Sequence, residues 1–244
     1  MNIIKDIRRH PEMKKFYFDK PIILKNVVNY IDLETFFKEQ GIDSFPAYKT
    51  VGKGKLDKKV FSLKEYTNYL ESTRDCNPWY VSNLQLEELE VNLPKSFENW
   101  LNILPKQINP NWQWVFVGPK NSHTEMHIDV LNSSAWNALI TGEKNWTFYP
   151  PEKTISEGYL SEEFRDLYSS ELNEPIKIVQ NQGDLIVTPS GWAHKVSNAK
   201  QSFSITGNFI NESNYQSVKK FLEINNKPDW IKVINKIKKE YYDN

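Results

Sequence analysis

The segment HTEMHID, residues 123 to 129, holds two of the chain's four histidines, each with an acid two places on: His123 with Glu125, and His127 with Asp129. Imidazole and carboxylate together are the ligands of a divalent transition metal that keeps open positions. A lone His-x-acid match is expected by chance about once in two chains of this composition, so the pattern alone is weak. Its plain structural reading is a row of polar residues on one strand face. Side chains two apart in a strand point the same way, so His123, Glu125, His127 and Asp129 are expected to share a face.

A third ligand has to come from elsewhere. His194 lies in GDLIVTPSGWAHKV, at the start of a strand after a tight turn, a good place from which to aim into a barrel mouth. His10 lies in a charged N-terminal stretch and reads as a bystander. Two imidazoles and a carboxylate on one side of a metal suit non-haem Fe(II) that also binds a co-substrate and O₂. Zinc more usually takes a closed tetrahedral set or three histidines.

Such a co-substrate needs an anchor. Lys144 in TGEKNW, with Asn137 and Thr206, would supply one if the three converge inside a barrel, because an ammonium and a hydroxyl make a strong receptor for a carboxylate in a dry pocket. The ordinary alternatives are a solvated strand-end lysine and two strand polar residues satisfied by backbone.

The elements that must position these groups read as three parts of one domain spanning residues 1–244. Residues 1–105 form a mixed region: PIILKNVV (21–28) is β-rich, and SLKEYTNYLES (62–72) opens with the capping-box pair Ser62 and Glu65 and reads as a helix. LEELEVNLPKSFENWLNIL (86–104) reads as helical, interrupted by Pro94. Residues 111–210 carry short β-prone runs, among them WQWVFVG, SAWNALIT, DLIVT and FSITGNF, separated by turn residues; they predict a sandwich or small barrel. The polar interval 152–175 reads as an insertion over one mouth. Residues 213–244 read as helical, with Trp230, Val233, Ile234 and Ile237 on one face, Pro228 in the first turn and Lys236, Lys238 and Lys239 in the last. That face is expected either to cover the barrel or to pair two copies as a homodimer.

Composition limits the function classes. The aromatic share of 14% marks a folded chain. Charges balance at 31 basic and 31 acidic, so no global field draws the protein to nucleic acid. No window approaches a membrane span. Cys76 is the one cysteine, which with the charged N-terminal residues predicts a reducing, cytoplasmic setting.

FVGPKNSHTEMHIDVLNSSAWNALITGEKNWTFYPP, followed by GDLIVTPSGWAHKVSN and SITGNF, resembles the JmjC (Jumonji-C, cupin-like) oxygenases that use Fe(II) and 2-oxoglutarate. Together with YLESTRDCNPWY upstream, it is most similar to their lysyl-hydroxylase/arginine-demethylase subgroup, also called phosphatidylserine-receptor-like. The likeness runs from about residue 60 to about 210. It implies a mainly β fold, a double-stranded β-helix (jelly-roll, cupin barrel) with N-terminal α/β elements and C-terminal helices. It implies that His127, Asp129 and His194 hold the iron, and that His123 and Glu125 are neighbours at the strand entry. Thr124, Asn137, Lys144 and Thr206 fall on positions that contact 2-oxoglutarate, and so does Tyr80. The implied reaction hydroxylates a C–H bond with release of succinate and CO₂, and ends in demethylation where the carbon bears nitrogen. The primary substrate, a protein side chain, an amino acid or a small metabolite, does not carry over. Two other readings stand beside it: a metal-dependent cupin enzyme without 2-oxoglutarate, which gives Lys144 no role, and a non-catalytic barrel that binds peptide or sugar.

Overall fold

In the computed structural model, residues 3–7, 10, 18–51, 55–86, 89, 93–105, 112–151 and 175–243 are described. Eight successive strands make the barrel: β5 (Gln113–Gly118), β6 (His123–His127), β7 (Ser134–Thr141), β8 (Glu143–Tyr149), β9 (Ile176–Asn181), β10 (Leu185–Thr188), β11 (Ala193–Asn198) and β12 (Ser202–Phe209). With β1 (Ile22–Leu24) and β4 (Val81–Gln85), four of them form a six-stranded sheet in the order β1-β10-β7-β12-β5-β4. The other four form a second sheet in the order β6-β11-β8-β9. Every pairing in the two sheets is antiparallel. The chain crosses between the sheets at almost every step, which is the jelly-roll arrangement expected from the sequence.

Alternation along the strands decides what lies between the sheets. In β12, Phe203, Ile205 and Phe209 belong to the main core cluster on the outer side of the larger sheet. Ser204, Thr206 and Asn208 point the other way, into the barrel. On β8 the buried positions are Lys144, Trp146 and Phe148. Gly207 stands opposite Trp136 in register, and a Cβ there would lie 2.4 Å from the indole, so only glycine lets the ring rest on the strand.

An N-terminal layer covers the outer face of the larger sheet. It consists of α1 (Leu33–Glu39), the hairpin β2 (Ser44–Val51) and β3 (Lys55–Ser62), and α2 (Leu63–Ser72). Phe36, Phe37, Phe45, Phe61 and Tyr66 are buried there, and Phe36 meets Phe203 of β12 at 5.1 Å between ring centroids. The predicted capping box on α2 is formed: Ser62 Oγ accepts from the Glu65 amide at 3.3 Å, and Glu65 Oε2 accepts from the Ser62 amide at 2.8 Å. The Tyr66 hydroxyl donates to the Val117 carbonyl at 2.8 Å, tying α2 to β5.

The helical reading of 86–104 is corrected for 93–104; residues 87, 88 and 90–92 lie outside the described residues. Its described part holds two short 3₁₀ turns, Lys95–Phe97 and Trp100–Ile103. Pro94 stands at φ −66°, ψ 159°, immediately before the first, and Asn99 caps the second with its side chain. Proline has no amide to donate and forces extended backbone before it, so a continuous helix cannot pass. The insertion expected at 152–175 falls, apart from its last residue, outside the described residues.

At the C-terminal end, α3 (Tyr215–Ile224) and α4 (Pro228–Asp243) pack beside the barrel. Ile234 and Ile237 are buried in one cluster with Trp100, Leu101, Trp112 and Val218, and Trp230 and Val233 pack against it. The apolar face of α4 is therefore covered within the chain. The helix runs on to Asp243, so its lysines lie before the last turn and not in it. Among the described residues no helix is long and apolar enough to cross a membrane.

Candidate metal centre and co-substrate cavity

β6 and β11 bring the two inner histidines side by side, their rings tilted by 55°. His127 is the register partner of His194, and their ring centroids are 4.2 Å apart. The register then slips: Val196 pairs with Thr124, so three residues of β6 are matched by two of β11. That bulge breaks the alternation on which the shared face of His123, Glu125, His127 and Asp129 was expected. Thr124 turns to the buried Tyr80 and hydrogen-bonds it. His123 and Glu125 pair with each other at 3.1 Å on the rim of the cavity, with side chains 38% and 64% exposed.

Asp129 follows β6 at the head of a 3₁₀ turn, Val130–Asn132. One ligand atom each from His127, Asp129 and His194 lies within 4.8 Å of the others. Three further observations test whether this group suits a metal. His127 Nδ1 lies 2.8 Å from the Glu125 carbonyl and His194 Nδ1 3.0 Å from the Trp192 carbonyl. A carbonyl only accepts, so both Nδ1 atoms carry the proton and both Nε2 lone pairs are free for coordination. Asp129 Oδ2 is buried and has no hydrogen-bond partner among the described residues. Burial, and then the neighbouring His127, push the His194 imidazole down to about 4, so it is neutral at physiological pH as a ligand must be. The residues fit a divalent metal with three protein ligands on one side.

A cavity of about 430 Å³ opens from this group, a size typical of small-molecule sites. His194 packs against the rings of Trp146 and Phe148 on β8, which stack on each other, and Phe148 is its register partner. Four residues along the same strand, about 13 Å at the usual rise, stands Lys144. It is 2% exposed, donates to Ser204 Oγ at 2.7 Å, and lies 5.6 Å from the Phe116 ring centroid. No carboxylate pairs with it among the described residues. Burial lowers its pKa to about 7. A buried ammonium without a counter-charge is costly, and an anionic ligand would relieve that cost.

All five residues expected around 2-oxoglutarate line this cavity: Tyr80, Thr124, Asn137, Lys144 and Thr206. The Thr206 hydroxyl does not meet Lys144; it accepts from Asn137 Nδ2 at 2.7 Å. Ser204, one pleat further along β12, takes the lysine instead. Burial raises the Tyr80 phenol, which stays protonated and able to donate. Sequence reading missed Ser204 and the cavity-lining Asn208, although a signal was present: in SFSITGNF the residues Ser202, Ser204, Thr206 and Asn208 alternate with Phe203, Ile205 and Phe209. His10 is not part of the cavity wall.

Comparisons with known proteins point the same way. Residues 165–209 match the family model described as JmjC domain, hydroxylase. The 2-oxoglutarate and iron-dependent oxygenase JMJD4 of Gallus gallus is 31% identical over 195 residues, 68% of this chain and 45% of the relative. Lysine-specific demethylase JMJ21 of Arabidopsis thaliana is 31% identical over 184 residues, 65% of this chain and 20% of the relative. The bifunctional arginine demethylase and lysyl-hydroxylase psr-1 of Caenorhabditis elegans is 28% identical over 184 residues, 64% of this chain and 46% of the relative. The chain thus spans less than half the length of these relatives. With the jelly-roll fold and the His127–Asp129–His194 group, these likenesses make the chain similar to JmjC-domain proteins, among them ones named as iron- and 2-oxoglutarate-dependent oxygenases, lysyl-hydroxylases and arginine demethylases.

Proposed function

We propose that this chain is an Fe(II)- and 2-oxoglutarate-dependent oxygenase that hydroxylates a C–H bond of a protein side chain, an amino acid or a small metabolite. One observation carries the reading: among the described residues a single cavity has two imidazoles whose Nδ1 atoms are bonded to carbonyls and a carboxylate oxygen without a partner at one end, and a buried lysine without a counter-charge at the other. His127, Asp129 and His194 would hold the iron. Lys144, oriented by Ser204, would take the far carboxylate of 2-oxoglutarate, with Tyr80, Thr124 and Thr206 on the same cavity wall. Asn137, which lines the cavity and is fixed by its bond to Thr206, has a buried Oδ1 without a partner among the described residues. When bound, iron and 2-oxoglutarate supply the oxidising chemistry, in which O₂ and the keto acid yield succinate, CO₂ and a hydroxylated substrate.

The protein's own part is placement and exclusion of water. The carbonyls of Glu125 and Trp192 hold both imidazoles in the tautomer a metal needs. Trp146 and Phe148 dry the wall behind His194, and Phe116 does the same beside Lys144. The relatives named for lysine and arginine chemistry favour a polypeptide substrate, with residues 1–105 and the barrel acting as one catalytic domain. A cupin enzyme without 2-oxoglutarate would leave Lys144 buried with no task. Self-association through the C-terminal helices would use the outer faces of α3 and α4, and light scattering of the purified chain reads it directly.

The test is anaerobic addition of Fe(II) and then 2-oxoglutarate to the purified chain. A visible iron-to-keto-acid charge-transfer band, followed by succinate release in air, supports the proposal. Iron binding with no band overturns the role of 2-oxoglutarate.

A further inference from the structure

The turn that carries Asp129 has an unusual backbone. Leu131 and Asn132 both take left-handed φ values, 53° and 59°. Residues with side chains avoid that region, and a run of two persists only where the surroundings hold it. Here they are held from outside the barrel. Asn132 Nδ2 donates to Ser217 Oγ at 3.0 Å, in the first turn of α3. The Asn132 carbonyl accepts from Ser190 Oγ at 2.5 Å, and the hydroxyls of Ser190 and Ser217 are 2.8 Å apart.

Proton counting closes this into a ring. A carbonyl has no proton to give, so the single Ser190 hydroxyl proton goes to Asn132. Ser217 must then donate to Ser190 while it accepts from Asn132. The Ser190 amide also donates to Ser134 Oγ at 3.0 Å, and Ser134 Oγ accepts from Asn214 Nδ2 at 2.9 Å, at the head of α3. Ser190 belongs to the Pro189-Ser190-Gly191 turn, four residues before His194. The start of α3 therefore grips both the turn after Asp129 and the turn before His194. None of Asn132, Ser190, Asn214 and Ser217 lines the cavity.

We infer that Ser217 is a positioning residue of the metal centre: through Asn132 and Ser190, α3 sets the Asp129 carboxylate relative to the two imidazoles without supplying a ligand. The inference rests on the metal-site reading above. It requires that loss of Ser217 act through Asp129.

A double-mutant cycle on the full chain tests it, with Co(II) binding followed by visible absorbance, carried into the millimolar range because two imidazoles still chelate without Asp129. Ser217→Ala is expected to weaken Co(II) binding about tenfold, as loss of an outer-shell partner does. Ser217→Thr, which keeps the hydroxyl, is expected to restore it. In an Asp129→Ala background, Ser217→Ala is expected to add nothing. Equal losses in both backgrounds, or none in either, overturn the inference and leave the metal site standing. A wild-type chain that binds no Co(II) overturns the metal-site reading and the inference with it. Should Ser217→Ala not fold, Ser190→Ala breaks the same ring from the other side and is read by the same cycle.

Discussion

His127 and His194 lie side by side across β6 and β11 with ring centroids 4.2 Å apart, and each gives its Nδ1 proton to the carbonyl two residues before it. Neither imidazole can rotate without losing that bond, so the Nε2 atoms converge before any metal arrives. His127→Ala and Asp129→Ala are each expected to cut Fe(II) or Co(II) affinity by more than the roughly 10–100-fold typical of an outer-shell change. Glu125→Ala and His123→Ala are expected to leave it within about twofold, since these two pair with each other on the rim. A metal titration of the four variants reads the difference. Loss of affinity in Glu125→Ala would move the ligand set.

Lys144 gives a pH signature. Its pKa in the free protein is lowered to about 7 by burial. At pH 8 the free form is mostly neutral, and a carboxylate bound against it restores the charged form. Binding of 2-oxoglutarate at pH 8 is therefore expected to take up close to one proton, and affinity is expected to fall as pH rises above 7. Calorimetry in buffers of different ionisation enthalpy measures the uptake. The other titratable groups on the cavity wall are Tyr80, His123, Glu125, His127, Asp129 and His194. Lys144→Met separates them, because it is expected to abolish the uptake.

Ser204 is fully buried and accepts from Lys144, so it orients the lysine at the cavity wall without lining the cavity itself. Ser204→Ala removes one hydrogen bond to a charged group, about 1.5–3 kcal/mol. The expected result is a loss of tenfold or more in 2-oxoglutarate affinity with metal affinity unchanged. Ser204→Thr is expected to recover part of it. A titration of the charge-transfer band gives both constants, and an unaltered keto-acid constant would remove Ser204 from the site.

Gly142 joins β7 to β8, the strand that carries Lys144. Its φ is +95°, and a Cβ there would lie 2.1 Å from the Gln201 carbonyl oxygen. Gly142→Ala is expected to destabilise the fold by at least ~1–3 kcal/mol, since both backbone strain and a collision with main chain oppose it. Urea unfolding measures it. A midpoint unchanged within error would show that the turn can relax.

Much of this architecture could be read along the chain. The capping pair Ser62 and Glu65, the strand runs and the apolar face of α4 are local patterns with periods of 3.6 and 2, and such periods need no knowledge of the fold. The HxD segment, His194 and Lys144 were legible as residue types at a spacing, and their convergence followed from likeness to a known family. Where a local rule failed, a long-range constraint had won. The alternation through β6 was broken by a bulge set by pairing with β11, and the described residues after Pro94 form two 3₁₀ turns in place of the expected helix.

By itself the sequence determined which groups could do the chemistry, because ligand type, strand period and turn residues are properties of a short stretch. Only the tertiary structure decided which of them touch. Lys144 meets Ser204 and not Thr206, because β8 lies in one sheet and β12 in the other, and the offset between sheets is fixed by packing. The Asp129 turn is held by Ser217, 88 positions later, because α3 folds back against the barrel. Contacts between residues so far apart in sequence are chosen by how layers bury their apolar faces, and no local pattern records that choice.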